Sequence, residues 1–423
     1  VLFVGVLVKN ALTIGVFSDM MGEVNGTAEA ARRLIRGLAK AGHKVRVFAP
    51  SIPSDGVPGI EYYRTWGFRM SLDPEFHFNL PLKRYVDCRN NDDYRGLDIC
   101  HVMTPMTLGW LGIDVAMQQG IPRIATHHSP LQYYAGYFPV IGKPFSLYAW
   151  TFERFIYNRF HCIHVPTISK KALIMQHHIK EPIFALTNGI PDEYFRRASN
   201  ARDNVIEQYG IDPDRKIILY AGRQGPEKNI EAIVRAFRAV RDRGIDAHLI
   251  LAGGGPYIPF LKNYAAELGV ADRVTQTGYV ETKLLRQIYD AADVSTLYND
   301  IEAQGLVLLE AMAQGTPCVG KRANGIKNVI IDGKTGYLVD SEKEFAERII
   351  SLLQDDESRE AMGRAALDVV ARNHKMEKVI ETWERIYKFV IDVIYPLKFY
   401  HTSRSTLADI LAEFCEKDPL LAA

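Results

Sequence analysis

The chain has 423 residues, 47% hydrophobic and 24% charged, with 51 Lys and Arg against 50 Asp and Glu; this excludes a disordered or fibrous polymer and exceeds what one ordinary core would fill. Two domains of about 200 residues each fit that length. Five cysteines, Cys88, Cys100, Cys162, Cys318 and Cys415, form neither a C-x-x-C pair nor a metal-ligand spacing, so a reducing compartment is expected and a disulfide framework or zinc site is not.

The opening VLFVGVLVKN is apolar, but it lacks the basic n-region and cleavage site of a signal peptide and is too short to span a bilayer. It reads as an extra strand or an extension. From Thr13 onward strand-like and helical runs alternate. TIGVFSD leads into the amphipathic TAEAARRLIRGLAKAGH, then KVRVFAP and, with helical stretches between, DICHVM, PRIATHHS and CIHVPT. Gly189 and Pro191 in TNGIPDEYF then break regular structure. The rhythm resumes with KIILYAGR, NIEAIVRAFRAVRDRG, AHLILAGGG, YIPFLKNYAAELG, VTQTGYV, KLLRQIYDAA, VSTLYND, a helix within GLVLLEAMA, PCVGKR and GYLVD. Strand, crossover helix and strand in repetition make parallel sheets covered on both faces. The fold class is therefore α/β: two doubly wound, Rossmann-like domains, residues 1–190 and 191–375, facing across a cleft.

Ligands of such sheets gather at the carboxyl ends of the strands. Four motifs fall there: MGEVNGT, HHS, GRQGPEKN and NDIEAQGLVLLEAMAQGTP. In GRQGPEKN, Arg223 and Lys228 stand five positions apart near a helix start. A planar guanidinium, a point-like ammonium and a helix dipole together suit a diphosphate, although solvated loop charges would read the same way. No Walker loop is present, since the glycine spacing and the Lys-Ser/Thr pair are missing.

Glu302 and Glu310 are eight positions apart, and on one unbroken helix they would diverge by about 80°. A helix from Gly305 to about Ala313 leaves Glu302 on the preceding loop. Free amides around Gly305, Leu306 and Val307 can then face a phosphate, with a carboxylate on either side accepting from sugar or ribose hydroxyls. The alternatives are a solvated loop charge for Glu302 and an exposed helix position for Glu310, although Glu310 interrupts the apolar LVLL and AMA. On its own, His128 at a strand end reads as a satisfied structural histidine. Neither His127–His128 nor His177–His178 has a third ligand at metal spacing, and Asp212–Pro213–Asp214 reads as a turn, so no metal is expected.

These residues, with NGTAEAARRLIRGLAKAGHKVRVFAP, LAGGGP and NGIKNVIIDGKTGYLV, give the sequence a resemblance to the retaining glycosyltransferases of GT-B fold that carry an E-x(7)-E motif. The likeness runs from about Thr13 to about Val393. It implies that Arg223 and Lys228 bind the donor diphosphate, that Glu302 meets the sugar hydroxyls near the anomeric centre, and that Glu310 meets the ribose. It also implies that Ala303, Gln304, Gly305 and Leu306 offer amides to sugar and phosphate, that Gly26 admits the donor phosphates, and that His128 lies on the acceptor side. Ala303 and Gln304 stand where similar sequences often have Thr and Phe. Residues 376–423 are implied to be a helical segment packing back on the first domain. With two cations and helix amides at the leaving phosphate, neither a cofactor nor a divalent cation is strictly required. Retention would follow from front-face attack assisted by the departing phosphate.

For the acceptor, residues 1–190 carry 20 Lys and Arg against 14 Asp and Glu, and the remainder 31 against 36; the basic half suits an anionic surface. Between Leu131 and Phe160 stand eleven aromatic residues, among them Tyr133, Tyr134, Tyr137, Phe138, Phe145, Trp150 and Phe155, with Lys143, Arg154 and Arg159 against Glu153 alone. That composition fits a bilayer interface or a core helix with its loop. FRMSLDPEFHFNLP, RIATHHSPLQYYAGYF and IYNRFHCIHVPTISKKAL look most like the diacylglycerol glucosyltransferase branch. The expectation is transfer of a hexose, glucose for preference, from a UDP-hexose to a membrane lipid such as diacylglycerol. The enzyme would be cytoplasmic, peripheral on the anionic inner face of the membrane and without a nucleic-acid partner. The same chemistry on a soluble or polyprenyl-linked acceptor is the alternative among enzymes. A non-catalytic nucleotide-sugar-binding protein is the alternative of another class. A dinucleotide oxidoreductase is disfavoured, since no G-x-G-x-x-G follows the first strand.

Overall fold

Thr13–Phe17 (β1) is buried along nearly its whole length, as a strand covered on both faces must be. The computed structural model describes residues 11–22, 25–52, 56–65, 67–69, 77–79, 91–104, 106–128, 131, 142–399 and 403–421; the opening decapeptide lies outside them. Two units divide the chain: Val1–Gly189 with Met376–Ala423, and Ile190–Lys375.

In the first unit β1 is followed by Gly26–Lys40 (α1), Lys44–Ala49 (β2), Ile60–Arg64 (β3), Gly67–Arg69 (β4), His77–Asn79 (β5), Ile99–Val102 (β6), Thr107–Gln119 (α2), Arg123–Thr126 (β7), Gly142–Tyr157 (α3), Cys162–Val165 (β8), Ile168–Gln176 (α4) and Ile183–Ala185 (β9). Seven strands form a parallel sheet in the order β3-β2-β1-β6-β7-β8-β9, while β4 and β5 pair antiparallel. Asn25 caps α1 by accepting the Ala28 amide at 2.9 Å. Ala28, Ala31, Leu34, Ile35 and Leu38 make its buried stripe.

The helix Met376–Phe389 completes this unit: Met376, Val379, Ile380, Trp383, Ile386 and Tyr387 share a core with β1, β2 and α1 residues. A directed hydrogen-bond chain fixes it there. The Leu186 carbonyl can only accept, so His164 donates to it from Nε2 at 2.7 Å. The neutral His164 Nδ1 then accepts the Thr126 hydroxyl at 3.1 Å, Thr126 accepts His101 Nε2–H at 2.8 Å, and His101 Nδ1 accepts the Tyr387 hydroxyl at 2.7 Å. Glu384 meets His43 at 2.9 Å, and Lys398 pairs with Glu181.

Neutral buried imidazoles make this unit acid-sensitive. Burial is the leading cause that pushes His164 down to about 4, His128 and His161 to about 3, and His101 well below its ordinary value. Below pH 6.5 the unfolded chain takes up protons that these folded histidines refuse. Each therefore subtracts up to about 1.4 kcal/mol per pH unit until its folded value is reached. All four tryptophans, Trp66, Trp110, Trp150 and Trp383, lie in this unit. The urea midpoint by tryptophan fluorescence should fall steadily between pH 6.5 and 4, and a flat midpoint would contradict the neutral chain.

The second unit contains Ala201–Tyr209 (α5), Lys216–Ala221 (β10), Ile230–Asp242 (α6), Ala247–Ala252 (β11), Ile258–Glu267 (α7), Val274–Gly278 (β12), Thr282–Ala291 (α8), Val294–Leu297 (β13), Leu306–Ala313 (α9), Cys318–Lys321 (β14) and Gly336–Val339 (β15). Its parallel sheet has the order β12-β11-β10-β13-β14-β15. Strand order reverses at β10 and β13, and the mouth of such a reversal is where doubly wound sheets bind ligands. Asp212–Pro213–Asp214 is a turn, with the Asp214 amide bonded to Asp212 Oδ1 at 3.2 Å. Among the described residues no helix is long and apolar enough to cross a membrane.

Candidate functional site

The loop after β10 is laced to the loop after β11. The Gln224 amide donates to Gly254 O at 2.7 Å, and Gln224 O accepts the Tyr257 amide at 3.0 Å. The buried Gln224 side chain donates to Gly253 O at 2.7 Å and Leu251 O at 3.2 Å. The Tyr220 hydroxyl holds Arg223 O at 2.8 Å. Gly253 is what permits this closeness: its φ is +126°, and a Cβ there would stand 2.1 Å from Gly222 O. A 3-10 turn, Pro226–Lys228, then leads through Asn229, at φ +50°, into α6.

Both cations of this loop face carboxylates. Arg223 Nη1 is 2.8 Å from Glu227 Oε1, and Lys228 Nζ is 3.0 Å from Glu302 Oε2. The second pair joins the β10 loop to the β13 loop across 74 positions, at the strand-order reversal, with 22% and 19% of the two side chains exposed. Burial first, then the charges of Glu302 and Glu227, raises the Tyr220 hydroxyl far above its ordinary value. Glu227 is a partner of Arg223 that the sequence reading did not single out, although its i,i+4 spacing was legible.

Gly305, at φ +87°, caps α9, so Glu302 lies on the preceding loop and Glu310 within the helix. Leu306 and Val307 occupy the first turn, where amides have no intrahelical acceptor. Gln304 is buried. The Gly325 amide donates to Glu302 O at 3.0 Å, and a Cβ on Gly325 would stand 2.4 Å from Ala303 O. The NGIKN loop thus braces the segment carrying Glu302, Ala303 and Gln304. Glu310 is not an exposed helix position: 5% of it is accessible, and it accepts the buried Tyr289 hydroxyl at 2.7 Å.

Gly26 and His128 belong to the first unit; the other eight residues belong to the second. Gly26 is exposed at the start of α1, and a Cβ there would meet nothing within 4 Å. Among the described residues no packing requires that glycine. His128 is buried just beyond β7 and driven to about 3 by burial, then by His164, His127 and Lys170, so it is neutral at ordinary pH. Glu153, counted in the sequence only as a lone acid among bases, reaches His127 Nε2 at 3.2 Å.

Of the aromatic stretch, Tyr133, Tyr134, Tyr137 and Phe138 lie outside the described residues, as do the side chains of Lys143 and Phe145. Trp150 stacks on His177 with centroids 3.5 Å apart. Further along α3, Ala149, Glu153 and Ile156 face inward while Tyr148, Phe152 and Phe155 are 66%, 41% and 52% exposed. Among the described residues no group of three or more His, Cys, Asp or Glu could hold a metal.

The fold is that of solved glycosyltransferases. It resembles the Anabaena HepE protein crystallised with UDP and glucose, at TM-score 0.73 and 16% identity, covering 89% of this chain and 99% of that one. Sucrose-phosphate synthase from Thermosynechococcus elongatus gives TM-score 0.72 and 22% identity over 89% and 98%. Residues 24–194 match the family described as Glycosyltransferase Family 4, and residues 201–369 that described as Glycosyl transferases group 1. The chain belongs to the GT-B glycosyltransferases. This glycosyltransferase is 28% identical to the alpha-monoglucosyldiacylglycerol synthase of Streptococcus pneumoniae, over 92% of this chain and 87% of that protein. The enzyme of the same name from Acholeplasma laidlawii is 26% identical over 90% and 98%. The N-acetyl-alpha-D-glucosaminyl L-malate synthase of Bacillus anthracis is 32% identical over 54% and 60%.

Proposed function

We propose that this glycosyltransferase moves a hexose, glucose for preference, from a UDP-sugar to a membrane glycerolipid such as diacylglycerol, with retention at the anomeric carbon. The observation that carries the donor half is the Lys228–Glu302 contact at the reversal of strand order. In this reading a donor diphosphate takes Lys228 and Arg223 from their carboxylates. The released Glu302 accepts from sugar hydroxyls, Glu310 keeps Tyr289 and accepts from the ribose, and the amides from Ala303 to Leu306 meet sugar and phosphate. Negative charge developing on the leaving diphosphate is met by two cations and a helix N-terminus, so no divalent cation need be supplied. Gly26 and His128 take donor-phosphate and acceptor-side roles by their match to the family. A thermal-shift screen of nucleotide sugars tests the donor, since a ligand bound only by the folded form raises its apparent stability. No shift with any UDP- or GDP-hexose would refute it.

The outward face of α3 supports the lipid half. Tyr148, Phe152 and Phe155 follow i, i+4, i+7 spacing, and the Arg159 guanidinium lies 3.6 Å from the Phe155 ring centroid. Aromatic rings beside cations suit the headgroup region of an anionic bilayer, and the names of the two diacylglycerol relatives agree. On this reading the protein is peripheral on the cytoplasmic face. Replacing Phe152 and Phe155 together by Ser should cut partitioning onto anionic vesicles roughly tenfold, since about half of each ring's transfer energy is at stake. Unchanged flotation of that variant, or transfer confined to water-soluble acceptors, would exclude the lipid reading.

A further inference from the structure

Glu153, on the inward face of α3, is 0% exposed, an expensive place for a carboxylate unless its hydrogen bonds are filled. Oε2 lies 3.2 Å from His127 Nε2, and Oε1 accepts the Leu131 amide. One acid therefore ties both ends of the segment 127–131, which carries His128. A carboxylate can only accept, so the proton of a neutral His127 belongs on Nε2 and its Nδ1 is left as a lone pair. That Nδ1 and His128 Nε2 are both buried, and neither has a hydrogen-bond partner among the described residues. Buried polar atoms in that state call for a physical explanation, and a functional role as acceptor is one. The imidazole is also held in plane: Trp150, from the same helix, lies parallel to it within 5° at 6.3 Å, and Tyr157 packs at 5.0 Å. Burial above all disfavours protonation of both histidines; Glu153 pulls the other way at His127, and the Lys170 charge adds to burial at each.

We infer that Glu153 is a positioning residue, fixing His127 as its Nε2–H tautomer so that Nδ1 stands as an acceptor for a substrate alcohol at the end of β7, next in sequence to His128. The inference rests on the glycosyl-transfer reading above. Glu153→Gln tests it because it preserves volume yet offers an N–H where an oxygen stood. A glutamine amide facing His127 Nε2 forces the ring proton onto Nδ1 and turns the acceptor into a donor. His127→Gln is the complement: its amide can still donate to Glu153, but no Nδ1 acceptor remains.

Each variant should lower kcat at saturating UDP-sugar by at least roughly tenfold, less than the roughly hundredfold or more that a positioned proton-transfer group contributes. Tm should fall by no more than about 4 °C, and the UDP-induced thermal shift should be unchanged. The double variant should be no slower than the worse single one, because both changes remove the same interaction. A purely structural Glu153 predicts lowered Tm, undiminished kcat per folded molecule and additive losses. A folded Glu153→Gln within twofold of wild type would overturn the inference. If that variant does not fold, His127→Gln decides by the same criterion. Failure of the wild type to transfer from any UDP- or GDP-sugar would instead refute the reading beneath it.

Discussion

Lys228→Ala should lower kcat by about 100- to 1,000-fold, the loss seen when one preorganised donor is taken from a developing oxyanion. The lysine lies 3.0 Å from Glu302 across two strand-end loops, and that contact gives it two tasks. In the free protein it neutralises a carboxylate that is only 19% exposed. In the proposed complex it neutralises the leaving diphosphate while Glu302 turns to the sugar. The variant loses the second task outright and leaves Glu302 repelling the phosphate. Arg223→Ala should follow the same course through Glu227. Turnover of purified, folded Lys228→Ala with saturating UDP-sugar is the measurement, and near-normal turnover would remove the mechanism. Glu227→Gln, which removes the carboxylate facing Arg223, should leave transfer largely intact.

Gly253→Ala should destabilise the second unit by about 2–5 kcal/mol, combining a left-handed φ with a clash against backbone. A Cβ 2.1 Å from Gly222 O cannot be accommodated by rotating a side chain, because the obstacle is the main chain of the loop that carries Arg223 and Lys228. The calorimetric transition of that unit should fall by roughly 5–15 °C, while the tryptophan transition of the first unit stays in place. Gly210→Ala is the control. Gly210 also has a positive φ, +62°, but a Cβ there would meet nothing within 4 Å, so only about 1–2 kcal/mol should be lost. Equal losses at the two positions would mean that the loops after β10 and β11 are not locked together as described.

The alternation of apolar strands and amphipathic helices made the two parallel sheets legible, since that pattern has few other solutions. Gly305 before LVLLEAMA marked the start of α9 and so separated Glu302 from Glu310. Strands β3 and β9 escaped notice for physical reasons: β3 lies on the sheet edge with half-buried residues, and β9 has three residues. The partners of the site residues were less legible. Tyr289 for Glu310, Glu302 for Lys228 and Glu153 for His127 are 21, 74 and 26 positions distant. Only the packing of separate helices and loops brings them together. Glu310 did carry one local warning, a charge inside an otherwise apolar helical run, and the structure buries it.

Trp383 and Tyr387 sit in the core of the first unit, and Tyr387 begins the hydrogen-bond chain through His101, Thr126 and His164. During synthesis on the ribosome, residues 1–189 emerge first, yet they must wait through the whole of residues 190–375 before the helix that closes their core appears. The middle of the polypeptide can mature before its beginning. A chain truncated at residue 375 would leave one half finished and the other with its apolar interior open to chaperones and proteases.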